Sequence, residues 1–104
     1  MRVVIADTSP INYLILVGAI EILPQMYGRV TIPDVVLREL TDEDAPKMVS
    51  TWATTRPEWI DVLPSPPTKD PSLGELDAGE QAAILLAQTL PEVLLLIDDA
   101  SGRV

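Results

Sequence analysis

The sequence predicts an α/β fold in which helices flank a parallel sheet of about four strands. Short apolar segments alternate with helical segments along the chain, a pattern that is typical of βα units. The first and last apolar segments, residues 3–6 and 93–97, contain no polar residue, as expected of strands buried on both faces. The alternation therefore favours a doubly wound sheet.

Between the first two strands the sequence predicts two helical segments. A helix is expected over residues 10–17, because Pro10 suits a first helical turn. Gly18 breaks this pattern, and helix is expected to resume over residues 19–26 with an interruption near Pro24.

The middle of the chain supplies two short strands and two further helices. The strands are expected over residues 30–32 and 59–63. A helix over Asp34–Leu40 begins with an acidic residue, which the helix dipole favours in a first turn. A weaker helix is expected over residues 46–54.

The last third of the chain begins with a proline-rich segment. Residues 64–71 contain four prolines, and neither a helix nor a strand tolerates that density, so we expect a loop. The strongest helix follows over residues 74–90 and is rich in Ala, Leu, Glu and Gln. Pro91 ends that helix, and the last strand completes the sheet.

Composition narrows the chemistry that the chain can perform. Its 104 residues are enough for one domain, and we expect residues 1–104 to form it. The absence of Cys and His excludes disulfides, thiol nucleophiles, imidazole ligands and Ser-His-Asp catalysis. Any catalysis therefore depends on carboxylates, hydroxyls, Lys, Arg or a metal ion.

The formal net charge of −9 argues against a general nucleic-acid-binding protein, which normally has a basic face. The charge is compatible with an enzyme whose acidic site is neutralised by cations, or with a protein that meets a basic partner. No apolar segment is long enough for a signal peptide or a membrane span, so we expect a cytoplasmic protein with no membrane partner.

Acidic residues follow both of the terminal strands. Asp7 comes directly after the first strand, and Asp98 and Asp99 follow the last. In open α/β sheets ligands bind at the carboxyl ends of the strands. An aspartate there is often only a turn former or a helix N-cap, and for either strand alone we favour that interpretation. Two such strands together favour a site for a divalent cation, because hard cations prefer oxygen ligands.

Two helix glutamates are further candidates for this site. Glu39 lies beside the apolar stripe of the helix Asp34–Leu40, and Glu80 lies near the small-residue face of the long helix. A helix glutamate is more often a solvated surface residue, and that interpretation is favoured for each of them alone.

Four motifs occur in a fixed order along the chain. They are a strand followed by Asp-Thr-Ser, a Glu on an early helix, an acid within a long Ala-rich helix, and a closing strand followed by Asp. In this order they resemble the PIN-domain ribonucleases, a group that includes the bacterial VapC-type toxins. The chain looks most like a PIN-like branch described as predicted nucleic-acid-binding proteins. The resemblance spans nearly the whole chain and rests on residues 5–11, 32–36, 76–80 and 96–103.

The resemblance implies a three-layer αβα fold of the PIN type and a metal-dependent endoribonuclease that hydrolyses RNA. Its implied cofactor is Mg²⁺ or Mn²⁺, held by carboxylates. The catalytic residues that it implies are Asp7, Glu39, Glu80 and one or both of Asp98 and Asp99, of which all but Glu39 are also expected as metal ligands.

The resemblance also implies supporting roles for residues next to these acids. Thr8 and Ser9 would hydrogen-bond to the carboxylates or to a bound water. Arg38 and Arg103 adjoin the acids and are our candidates for contacts with RNA phosphates. Arg38 has an alternative, which is to pair with a neighbouring Glu on its own helix.

Two other families that place acids after strands fit less well. A haloacid-dehalogenase-type phosphatase needs a second acid two residues after the first, where this chain has Ser9. A response-regulator receiver needs an acidic pair after its first strand and a Lys after its last, and this chain has neither.

PIN domains normally continue through a further strand and helix after the closing acid, whereas this sequence ends at Val104. We therefore expect a C-terminally shortened domain in which residues 93–97 form an unprotected sheet edge. Such an edge predicts self-association as a homodimer, and the resemblance adds a small antitoxin as a possible partner. The alternative function is a catalytically silent, shortened PIN-like module that acts as an interaction protein.

Overall fold

The computed structural model describes residues 3–65, 78–90 and 92–96, except for the side chains of residues 78 and 80. Four strands form one sheet in which every pairing is parallel. The strands are β1 (Val3–Ala6), β2 (Val30–Pro33), β3 (Ile60–Leu63) and β4 (Val93–Leu96). Their order across the sheet is β3-β2-β1-β4, so β1 is an inner strand and β4 lies beside it.

Helices cover both faces of this sheet. In the described residues they are α1 (Thr8–Leu16), α2 (Ile22–Tyr27), α3 (Asp34–Leu40), α4 (Lys47–Thr55) and α5 (Ala78–Gln88). None of the described helices is long and apolar enough to cross a membrane.

Residues of β1 point alternately into two cores. Val4 and Ala6 pack with the buried residues of α1 to α4, which form the larger core. Ile5 packs on the opposite face with Ala83 and Leu86 of α5. This alternation is the period of two that a strand imposes, and it produces three layers. The predicted α/β fold with four parallel strands is therefore confirmed.

The boundaries of two helices differ from the sequence prediction for identifiable reasons. Helix α1 begins at Thr8 rather than at Pro10, because Asp7 caps it. Helix α2 begins at Ile22 rather than at residue 19, after Gly18 has redirected the chain with a φ of 77°. The predicted interruption at Pro24 is wrong. This residue lies in the first turn of α2, where its missing N–H is not needed.

The remaining elements agree with the prediction to within a residue over the part of the chain that is described, except that α5 ends at Gln88, two residues before the predicted end. Helix α3 has the predicted bounds, and α4 is shifted by one residue. The proline-rich segment after Ser65, the start of the helix predicted over residues 74–90, and residue 97 lie outside the described residues.

Candidate active site

Asp7 lies directly after β1 at the carboxyl edge of the sheet. Its Oδ1 accepts a hydrogen bond of 2.7 Å from the N–H of Thr8, which makes it the N-cap of α1. Its own N–H donates to the carbonyl oxygen of Leu96 at 2.9 Å, so its backbone continues the pairing of β1 with β4. Asp7 thus has the N-cap role considered from sequence, but it is also completely buried, which is rare for a charged residue.

Glu39 reaches the same place from α3. Val36 and Leu40 anchor that helix in the larger core, and Glu39 lies beside them, half-buried. The hydroxyl of Thr8 donates a hydrogen bond to Glu39 Oε1. Thr8 therefore links the two acids, since its backbone N–H holds Asp7 and its side chain holds Glu39.

The first turn of α5 closes this cluster on another side. A Cβ placed on the buried Gly79 would lie 2.8 Å from Asp7 Oδ1, 2.9 Å from Thr8 Oγ1 and closer still to Glu39 Oε1. The three oxygens therefore converge on one point at the surface of the helix backbone. Glu80 is the next residue of α5, and its side chain lies outside the described part of the structure.

An open pocket of about 330 Å³ lies beside the cluster. The segment between α3 and α4 contributes Asp42 and Asp44 to it, both exposed. The N–H of Asp44 donates to Asp42 Oδ1 at 2.8 Å, which holds the two residues in a tight turn. The lining is acidic and contains no described basic residue: it consists of Thr8, Ser9, Glu39, Asp42, Asp44 and Ala45.

Arg38 is exposed and lies next to an acid of its own helix. Its Nη2 is 4.0 Å from Asp34 Oδ1, so the neighbour is an aspartate rather than the expected glutamate. The same oxygen accepts hydrogen bonds from the Ser65 hydroxyl at 2.5 Å and the Ser65 N–H at 3.1 Å. These bonds, with a smaller contribution from Arg38, hold the pKa of Asp34 below its usual value. A role for Arg38 in RNA binding stays a prediction.

The structure brings Asp7, Thr8 and Glu39 together and places Ser9 on the wall of the adjoining pocket. Within the described residues, no three Asp, Glu, His or Cys side chains are grouped closely enough to hold a metal ion. The complete carboxylate site therefore stays a prediction. The predictions that lie outside the described residues concern Asp98, Asp99, Arg103 and the side chain of Glu80.

Two features of the site were missed by the sequence analysis. Gly79 was not singled out, although an isolated glycine within a strongly helical segment is a recognised signal of close packing. Asp42 and Asp44 were not singled out either. Nothing local in the sequence indicates that they line a pocket with Thr8, because that contact spans more than thirty residues.

Comparison with known protein families agrees with this geometry. The sequence profile of the PIN domain family matches residues 3–104. The chain belongs to the PIN domain family. Neither the comparison with curated proteins nor the comparison with solved structures gave a match. The resemblance drawn from the four motifs is thus confirmed for the family.

The donor atoms in this PIN domain fit a hard divalent cation. Asp7 and Glu39 provide carboxylate oxygens and Thr8 a hydroxyl oxygen, and all three lie under 3.0 Å from the point that a Cβ of Gly79 would occupy. Mg²⁺ and Mn²⁺ prefer such oxygen ligands, and Mg²⁺ is often bound by only one or two carboxylates together with substrate phosphates. The chain has no Cys or His, which softer metals prefer.

Proposed function

We propose that this PIN domain is a metal-dependent endoribonuclease that hydrolyses RNA phosphodiesters with Mg²⁺ or Mn²⁺. The observation that carries the proposal is the convergence of the Asp7 and Glu39 carboxylates at the carboxyl edge of the sheet. Family membership supports it, because PIN domains are often nucleases and typically use these cations. The absence of histidine is consistent with it, because a metal can replace a neutral-pH base.

The cation would be held by Asp7 and Glu39 together with acids that the motif order adds. Glu80 follows Gly79 in α5, and Asp98 and Asp99 come shortly after β4. Leu96 is aligned with Ala6 in the sheet. Asp98 follows Leu96 by two residues in the sequence, which is why we include it in the proposed ligand set.

A bound cation would lower the pKa of a water molecule and stabilise the attacking and leaving oxygens. The residues of the chain prepare that chemistry in three ways. Burial of Asp7 keeps one carboxylate out of bulk water. Thr8 orients Glu39. The acidic pocket beside them repels an RNA backbone unless cations are present, which makes binding depend on the divalent ion.

The test is hydrolysis of mixed-sequence RNA by the purified full chain with Mg²⁺ or Mn²⁺. We expect cleavage that stops on addition of EDTA and is lost in Glu39→Gln. Glu58→Gln is the matched control, because Glu58 is exposed and lies at the amino edge of the sheet. Absence of cleavage by the wild-type chain with either cation, over the full range of RNA sequences, would overturn the proposal.

A second candidate function is that of an interaction module, and an apolar pocket favours it. This pocket, also about 330 Å³, lies between α1, α2 and β4. Ile22 and Met26 line it and remain 44% and 61% exposed. Leu95 and Leu96 of β4 also line the pocket, and β4 is an edge strand of the described sheet, where another strand can pair. We therefore propose a second copy of the chain as the partner that covers this side.

Sedimentation at micromolar concentrations tests that candidate. We expect a dimer that dissociates in Met26→Lys. Met48→Lys is the matched control, because Met48 is equally exposed, at 59%, but lies on α4 outside the pocket. A monomeric wild-type chain would rule out the dimer, and a dimer unaffected by Met26→Lys would place the interface elsewhere.

A further inference from the structure

Gly79 is unlike the other glycines that the structure describes. Gly18 and Gly28 have φ values of 77° and 79°, which L-residues rarely adopt, and a Cβ added to either would meet nothing within 4 Å. Gly79 has no such backbone requirement and lies within the helix α5. Alanine is the more favourable residue in a helix. The presence of glycine at this position therefore needs a reason other than backbone conformation.

The reason is the space that a side chain would take. A Cβ on Gly79 would approach Asp7 Oδ1, Thr8 Oγ1 and Glu39 Oε1 at distances under 3.0 Å, which real Cβ atoms essentially never show. The helix on which Gly79 lies has little freedom to withdraw, because Ala83 and Leu86 bury it against the sheet. A side chain at this position would have to displace the oxygens.

The three oxygens differ in how freely they can move. Asp7 is completely buried, and its Oδ1 holds the N-terminus of α1. Thr8 is tied to that same N-terminus by its backbone. Glu39 is half-buried beside an open pocket, and it is the closest of the three to the added Cβ. Glu39 is therefore the group that a side chain at residue 79 would expel.

We propose that Gly79 is a positioning residue that fixes the spacing of the Asp7 and Glu39 carboxylates. Its lack of a side chain lets the backbone of α5 pack directly on the two acids and on Thr8, so that Glu39 keeps its hydrogen bond from Thr8. The consequence for cation binding rests on the function proposed above. The packing itself does not, and the two are separable by experiment.

The packing is tested with a double-mutant cycle of Gly79→Ala and Glu39→Ala in metal-free protein. We expect Gly79→Ala to lower the denaturation midpoint in the wild-type background and to lower it less, or raise it, in Glu39→Ala. If Gly79→Ala alone does not fold, recovery of folding in the double variant supports the proposal and failure to recover overturns it. The control is the same cycle with Glu58→Ala, a distant glutamate, for which the two changes should add.

Cation binding is tested by calorimetry with Mn²⁺ alone. We expect Gly79→Ala to weaken Mn²⁺ binding by at least about 10-fold, as loss of a supporting contact at a metal site does. Additive effects in the Glu39 cycle would overturn the positioning role. Coupling in that cycle without Mn²⁺ binding by the wild-type chain would retain the packing and overturn the proposed metal site instead. Coupling with unchanged Mn²⁺ affinity would overturn the consequence for cation spacing.

Discussion

The two edges of the sheet both carry charged residues, but they arrange charge in opposite ways. At the amino edge, Arg29 forms a two-pronged ion pair with Asp61, with distances of 2.9 Å from Nε and 2.7 Å from Nη2. Both side chains are largely exposed, at 59% and 45%. At the carboxyl edge, Asp7 is completely buried and Glu39 half-buried, and their carboxyl groups converge on one point.

The amino edge is arranged for local stability. The hydrogen bond from Arg29 and its charge hold the pKa of Asp61 below the usual value, and Asp61 in turn raises the pKa of Arg29. Arg29 also donates to the carbonyl oxygen of Glu58 at 2.9 Å and so ties the start of β2 to the segment before β3. The charges of Arg29 and Asp61 and the carbonyl oxygen of Glu58 therefore have partners within the folded chain, without any ligand.

The carboxyl edge instead brings two acidic side chains together. Two carboxylates close together repel each other, and the repulsion grows as water is excluded. A protein retains such an arrangement where the charge has a use, and clusters of this kind are concentrated at functional sites. The comparison therefore supports a structural role for the amino edge and the proposed chemistry at the carboxyl edge, and the following predictions test that distinction.

The largest effect is expected from Asp7→Asn. The amide keeps the oxygen that caps α1 but removes the charge, so we expect RNA hydrolysis to fall by at least about 100-fold, since even residues that only support metal ligands cost 10- to 100-fold. The metal-free variant should remain folded, because the capping oxygen is kept. Asp61→Asn should hydrolyse RNA at the wild-type rate. Equal activity of Asp7→Asn and wild type would remove the proposed distinction between the edges.

Cation-induced stabilisation should follow the same division. A ligand that binds only the folded state stabilises it by about 2.7 kcal/mol at a concentration 100 times its Kd. We expect Mg²⁺ and Mn²⁺ to raise the melting temperature of the wild-type chain and of Asp61→Asn, but not of Asp7→Asn. A rise of the same size in all three proteins would locate cation binding away from Asp7.

Thr8 should give a smaller effect. Thr8→Val removes the hydroxyl that holds Glu39 while preserving side-chain shape, and we expect hydrolysis to fall by about 10-fold. Thr8→Ser retains the hydroxyl and should remain close to wild type. Loss of activity in Thr8→Ser, with wild-type activity in Thr8→Val, would show that the site needs the methyl group rather than the hydrogen bond.

The carboxyl edge also shows how far sequence reasoning reaches. Asp7 and Glu39 were identified because each stands out locally, the first after an apolar strand and the second beside an apolar helix stripe. The role of Gly79 could not be found in this way, because its contact with Asp7 depends on how closely α5 packs on the sheet. Periodicity predicts which face of a helix is buried, but not the distance to its neighbours.

The boundaries of two helices were predicted wrongly for a related reason. The start of α1 at Thr8 depends on the conformation of Asp7, which has a β-region backbone and accepts the cap hydrogen bond. Pro24 was interpreted as a helix breaker because its place within the first turn of α2 was not known. In both cases the position of the residue relative to the helix terminus decided the outcome.

The smallest effect is expected at the amino edge, from Asp61→Asn, and it should depend on pH. A carboxyl whose pKa is lowered by folding contributes stability above its unfolded pKa and loses it as the pH falls through the folded value. The lowered pKa of Asp61 therefore predicts that the variant is less stable than wild type at neutral pH. The difference should begin to shrink below about pH 4, where the aspartate is protonated first in the unfolded chain, and should vanish once the pH falls below its lowered pKa in the folded protein.

Exposure of both partners keeps this difference small, because exposed ion pairs contribute little and are screened by salt. Urea unfolding of wild type and Asp61→Asn across a pH series, at low and high salt, measures it. Asp34→Asn should show the same direction of pH dependence, since hydrogen bonds from Ser65 lower the pKa of Asp34. A difference between wild type and Asp61→Asn that stays constant from neutral to acid pH would mean that the Arg29–Asp61 pair does not act through charge. The two edges would then no longer differ in the way proposed.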